Sequence, residues 1–159
     1  MYKGNSKHKD SLKIGQEFEE FVVGEIRKKS GYEIHIYKTK GEQYNIGESK
    51  EGFEIKYDAR STGDCTYGEC EATGNVAIEV AEKTSPSQES WCSSGIYRKD
   101  NTIWYVVGNF QKIWMFSKKK LQKMHRSKKY KTVETKPTIK TMLLPIEEAD
   151  RYCIKKYSF

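Results

Sequence analysis

The tripeptide Glu54-Ile55-Lys56 sets a carboxylate and an ammonium two positions apart. In an extended chain residues i and i+2 point the same way, so both groups share one face, and Asp58 extends the row. A carboxylate beside a lysine suits phosphodiester hydrolysis. The acid is a ligand for a hard divalent cation such as Mg²⁺ or Mn²⁺, which prefers oxygen donors. The metal polarises a phosphoryl oxygen and lowers the pKa of a bound water. The lysine positions that water or neutralises the charge that develops during attack. The same alternation also describes a solvent-facing strand with ordinary charges, so the tripeptide needs companions.

Three further acids supply them. Glu48 lies just before the turn Lys50-Glu51-Gly52 and faces the Glu54 row if the two segments form a hairpin. Glu79 interrupts the apolar run Val76-Ala-Ile-Glu-Val-Ala81, where a carboxylate is costly unless it is paired, bound to metal or on a wet face. Glu19 sits in a helical pattern near the N-terminus. Acids from a helix, a hairpin and two strands are thus expected near one lysine.

Taken in order, Glu19, Glu48, Glu54-Ile-Lys56 and Glu79 resemble the site of the PD-(D/E)XK nuclease superfamily. Glu54-Ile-Lys56 matches its (D/E)xK element, and Glu19 matches its helical Glu. Glu48 stands where the first acid belongs, although it is Glu rather than Asp and no Pro precedes it. The segments Glu54-Ile-Lys-Tyr-Asp58, Thr73-Gly-Asn75, Ile78-Glu79 and Ser94-Gly-Ile96 also look like small nucleases of this type, many of them from phages. The resemblance implies a restriction-endonuclease-like αβββαβ core, an α/β fold with a central mixed sheet flanked by helices. It implies a Mg²⁺-dependent endodeoxyribonuclease in which Glu48, Glu54 and Glu79 bind metal. Lys56 then orients the hydrolytic water, and Glu19 is an outer ligand or holds Lys56. A second assignment makes Asp58 the first acid and Glu79-Val-Ala81 a degenerate (D/E)xK. A third reading is a catalytically inactive nuclease-like module that binds nucleic acid or a protein partner.

A basic stretch accompanies these acids. Lys118, Lys119, Lys120, Lys123 and Arg126 precede Lys128, Lys129 and Lys131, with Leu121, Met124 and Tyr130 as apolar anchors. On a helix this is a cationic face suited to phosphate contacts that position DNA without reading its sequence. A solvated helix face is the plainer alternative. Lys38, Lys40 and Arg60 are further candidates for phosphate contact near the site. A net charge of +7 favours a polyanionic partner. A homodimer is compatible with cutting both strands.

The elements that must position these groups follow from periodicity. Apolar residues from Leu12 to Ile26 recur at helical spacing, ending at Ser30-Gly31 after three basic residues. Residues 1–10 read as a flexible basic tail and 11–159 as one domain. Strands are expected over 32–39, 42–49, 53–59 and 75–81, followed by a connection with a short helix over 84–101. A hairpin over 102–107 and 112–116 turns at Gly108-Asn109. Ser117 caps a basic helix to about residue 128, a strand covers 138–144, and Pro145 opens a last helix to about residue 156.

No run of 18 apolar residues is long enough to span a bilayer. The N-terminus is polar and lacks the apolar core of a signal peptide, so a cytoplasmic protein is expected, compatible with a phage protein acting in its host. Cys65, Cys70, Cys92 and Cys153 could form two disulfides but are expected to be reduced thiols, because an intracellular chain of this size does not need them, and their spacing fits no usual zinc pattern. His8, His35 and His125 sit in no nucleophile pattern, and no Gly-rich phosphate loop is present.

Overall fold

Helix α1 (Gly4–Ser30) carries Phe18, Val22 and Ile26 on one stripe, and all three are buried. The spacing of four repeats the same face each turn. Gly31, at φ +73°, ends the helix: its N–H donates to the Arg27 carbonyl at 2.8 Å, in the left-handed conformation that glycine adopts without penalty. A computed structural model describes residues 4–68 and 70–159 of the chain. Most of the stretch expected as a flexible tail therefore lies within α1, and residues 1–3 fall outside the described residues.

The segment after α1 departs from expectation. Residues 32–39 are extended but pair only through an isolated bridge, Ile36 with Ser49. The expected strand over 42–49 is not formed. Lys40–Asn45 winds instead into α2, capped by the Thr39 hydroxyl, which accepts from Glu42 N–H and donates to the Glu42 carboxylate. Thr39-x-x-Glu42 has the spacing of a capping box, a helix start signal that outweighs weak strand propensity here. With no strand preceding it, β1 (Phe53–Tyr57) has no hairpin partner on that side.

The remaining elements are β2 (Asn75–Glu82), β3 (Cys92–Ser93), a 3₁₀ turn (Gly95–Tyr97), β4 (Trp104–Gly108), β5 (Lys112–Ser117), α3 (Lys118–Arg126), β6 (Thr132–Lys136), β7 (Ile139–Pro145), α4 (Ile146–Tyr152) and β8 (Lys155–Ser158). The β4–β5 hairpin and the Ser117 cap on α3 stand where the sequence places them; Ser117 Oγ accepts from Lys120 N–H. Strands β6 and β8 are additions, the latter shortening the last helix.

The chain is a mixed α/β protein, with two four-stranded sheets among the described residues. The first has order β1-β4-β5-β8 and is mixed, because β1 runs parallel to β4. The second has order β3-β2-β7-β6 and is antiparallel. One face of the first sheet, with Phe53, Ile55, Val106 and Ile113, packs on the α1 stripe. Its other face, with Tyr105, Val107, Trp114 and Phe116, packs on Val76, Ile78 and Val80 of β2 and on Met142 and Leu144 of β7. Alternation along β1 therefore turns Phe53 and Ile55 toward α1, and Glu54 and Lys56 toward the opposite side, at the sheet's edge.

Cys65 and Cys70 form a disulfide, which corrects the expectation of four reduced thiols. The turn between them brings their Cα atoms to 4.8 Å, within bonding range. Cys92 and Cys153 are free. No helix among the described residues is long and apolar enough to cross a membrane.

Candidate active site

Glu54 is 2% exposed, and its Oε1 lies 3.1 Å from Lys56 Nζ. Its Oε2 is buried without a hydrogen-bond partner. Burial raises the Glu54 pKa above the ordinary carboxylate value; Lys56 opposes the rise, while Asp100 and Glu48 add to it. For Lys56 the balance runs the other way. Its desolvation lowers the pKa, but the carboxylate of Glu54, assisted by Glu79 and Glu48, more than offsets this and raises it. The ammonium is thus held charged.

A cleft of about 540 Å³ opens beside this pair, and Glu48, Glu54, Lys56 and Glu79 all line it. Glu79 reaches it from β2, at an alternate position to the buried Val76, Ile78 and Val80. Glu48 also lines a neighbouring hollow of about 630 Å³, whose wall includes Glu19 of α1. The Glu19 pKa is raised to about 7, first by burial, then by repulsion from Glu48, with Lys56 opposing. All five residues that the spacing singled out therefore belong to one electrostatic neighbourhood around Lys56.

Asp58 is placed differently. Its Oδ1 accepts from Ser61 N–H at 3.1 Å and its Oδ2 from Ala77 N–H at 2.9 Å, so the carboxylate pins the loop after β1 to β2. It does not line the cleft. Glu48, not Asp58, shares the cleft with Glu54 and Lys56.

Several residues of the site carried no recognisable signal. Arg98, just past the 3₁₀ turn, donates from Nη1 to Glu48 Oε1 at 2.9 Å and from Nη2 to the Gln43 carbonyl. Asp100 anchors it from the other side, with Oδ2 3.5 Å from Arg98 Nε. Gly95, at φ +57°, packs so closely on β2 that a methyl group there would collide with the Glu79 carbonyl. Its place in Ser94-Gly-Ile96 was visible in the sequence; the close approach that demands a glycine was not.

The basic helix divides. Lys119, Lys120, Lys123 and Arg126 are exposed. Lys118 is not a surface cation, which corrects its grouping with them: it is 6% exposed, and its Nζ donates to Asp100 Oδ1 at 2.9 Å and to the Arg98 carbonyl. As the first residue of α3 it points inward with Leu121, one turn ahead of Met124.

The donors around the cleft are carboxylate oxygens, the type a hard divalent cation takes. The unpartnered Oε2 of Glu54 is a free acceptor of that kind. Among the described residues, however, no three such side chains converge closely enough to form a ready-made metal cage. Glu48 is engaged by Arg98 rather than turned to its neighbours. Comparisons of the chain with protein-family models, with curated proteins and with solved structures found no match.

Proposed function

We propose that the protein is a Mg²⁺-dependent endonuclease that hydrolyses DNA phosphodiester bonds in the cleft beside β1. The observation that carries this reading is Glu54: a buried carboxylate with one oxygen on a charged lysine and the other without a partner. An unpaired buried carboxylate oxygen is costly. A divalent cation held by Glu54 and Glu79, with Glu48 once released from Arg98, would relieve that cost. Such a cation supplies Lewis-acid polarisation of a phosphoryl oxygen.

The chain's own residues do the rest. Lys56, kept as an ammonium by its carboxylate neighbours, orients the attacking water and offsets charge developing on the phosphoryl group. Glu19, titrating at about 7, holds or releases a proton near Lys56 at neutral pH. Exposed Lys119, Lys120, Lys123 and Arg126 supply contacts to the DNA backbone. Helix α1 carrying Glu19, and β1 carrying Glu54-Ile-Lys56, support a restriction-endonuclease-like core for the finer fold assignment.

A second reading is favoured by two observations. The Arg98–Glu48 pair and the absence of a preformed three-acid group among the described residues fit an inactive module that only binds nucleic acid or a protein partner. Incubation of plasmid DNA with the purified protein and Mg²⁺ or Mn²⁺ separates the two. The enzyme reading expects nicking or linearisation that falls at least about a hundredfold in Glu54→Gln and Lys56→Ala. Equal background cleavage by wild type and Lys56→Ala would leave the binding module.

A further inference from the structure

The acid cleft is not isolated. Ser93 lines it and also lines a second hollow of about 480 Å³, bordered by Lys140 and Arg126. That hollow shares Tyr97 and Arg126 with a third, of about 360 Å³, whose far end is formed by Lys128 and Tyr130. Through these shared wall residues the three hollows adjoin, from the cleft of the Glu54–Lys56 pair to the C-terminal end of α3. Its chemistry changes along the way. The first hollow is mixed, with Glu48, Glu54, Glu79 and Glu82 alongside Lys40, Lys56 and Arg98. Among the described residues neither of the other two has a carboxylate in its wall, and between them they present Arg126, Lys128 and Lys140.

Two details mark the basic part as built for a ligand. Lys128 is the one non-glycine among the described residues with positive φ, at +58°. It follows Ser127, the C-cap of α3, where glycine would take the left-handed conformation without penalty. A strained lysine in the wall of a hollow points to a use for its side chain. Tyr97 and Tyr130 add aromatic surface along the same path. Tyr97 is fixed by its hydroxyl, 2.6 Å from His125 Nδ1, and by the Arg126 guanidinium 5.5 Å above its ring. Lys129 likewise lies over the Tyr130 ring, and cations stacked with aromatic rings along a groove form a combination that holds a single nucleic-acid strand: phosphates meet the charges and unstacked bases meet the stacks. In a duplex the base faces are hidden, so the rings would go unused.

Building on the nuclease reading, we infer that this groove binds a single-stranded flank of the DNA substrate and leads it from the acid cleft to Lys128. The preferred substrate is then DNA with an unpaired segment next to the cut, rather than an uninterrupted duplex.

Fluorescence anisotropy with a labelled single-stranded oligonucleotide and a duplex of equal length, in EDTA, tests the inference without cleavage. The single strand is expected to bind at least tenfold more tightly than the duplex. Arg126→Ala/Lys140→Ala should weaken single-strand binding tenfold or more and flatten its salt dependence, by about 0.7 in log–log slope for each phosphate no longer neutralised. A charge-matched control away from the groove, Lys28→Ala/Lys155→Ala, should change neither. Lys128→Gly is the decisive variant: it relieves backbone strain, so its Tm should hold or rise while single-strand affinity falls. Unchanged affinity in Lys128→Gly and in Arg126→Ala/Lys140→Ala, or duplex bound as well as single strand, overturns the inference. Because Glu54→Gln removes cleavage but should retain single-strand binding, the groove and the nuclease reading fail separately.

Discussion

Glu19 shows how much one side chain's surroundings decide. Its ordinary pKa of 4.5 applies to the unfolded chain, whereas burial and Glu48 lift the folded value to about 7. Between those two values the folded state binds more protons than the unfolded state, so stability falls as pH rises through the window. Glu19→Gln removes the titration. The variant should match wild type near pH 4.5 and gain on it up to about pH 7, reaching about 1–2 kcal/mol after solvent screening. Thermal melts of both proteins at intervals from pH 4.5 to 8 measure the difference, and a gap that stays constant with pH would rule out a raised Glu19 pKa. Lys118 makes the complementary point. It has the same side chain as Lys119, yet one is buried on Asp100 and the other faces water.

At the scale of elements, the cleft depends on close backbone approaches. The 3₁₀ turn rests against β2 through Gly95, whose neighbour Ser94 donates its N–H to the Val80 carbonyl. This packing brings Ser94, Arg98 and Glu79 onto one wall. Gly95→Ala would introduce a clash with Glu79 backbone and force a side-chain residue into positive φ. The expected result is a destabilisation of about 1–3 kcal/mol and loss of metal-dependent cleavage beyond what the stability change explains. Denaturant titration and cleavage assays on the same preparation check it; full activity in Gly95→Ala would show that this wall is not part of the site. The segment before β1 teaches a different lesson. Thr39 and Glu42 form a local helix start, and that short-range signal prevails where strand propensity had no neighbouring strand to pair with.

For the whole molecule, the first sheet is the shared partner of two cores. Helix α1 covers one face and the second sheet covers the other. Neither layer can leave without exposing apolar surface on the sheet that the other needs. Phe18, fully buried between α1 and the sheet and in ring contact with Tyr57 and Phe110, tests this. Phe18→Ala should cost about 3–5 kcal/mol. In a Trp91→Phe/Trp104→Phe background, whose remaining Trp114 lies in the other core, the loss should shift the far-UV circular dichroism and Trp fluorescence midpoints equally. Separate midpoints would mean that α1 and the two-sheet body unfold independently. Net charge acts at this scale too: +7 on the chain favours a polyanionic partner, although four carboxylates share the cleft wall with Lys40, Lys56 and Arg98.

By itself the sequence determined which way side chains point within the periodic elements that the fold kept. Strict alternation placed Glu54 and Lys56 on one face of β1 and Phe53 and Ile55 on the other, because side-chain direction in a strand has period two. The α1 stripe, the β4–β5 hairpin and the Ser117 cap were equally local, and equally legible. The order Glu19, Glu48, Glu54-x-Lys56, Glu79 was enough to nominate four acids whose charges act on one another and on the Lys56 ammonium, three of them lining one cleft with it. The tertiary structure alone decided the rest. It paired β1 with the distant β4, set Asp58 against the backbone of Ala77, buried Lys118 on Asp100 and laid Arg98 on Glu48. Each of these joins residues far apart in the chain, and the partner is chosen by packing and by the need to satisfy buried charge. No spacing along the sequence encodes that choice.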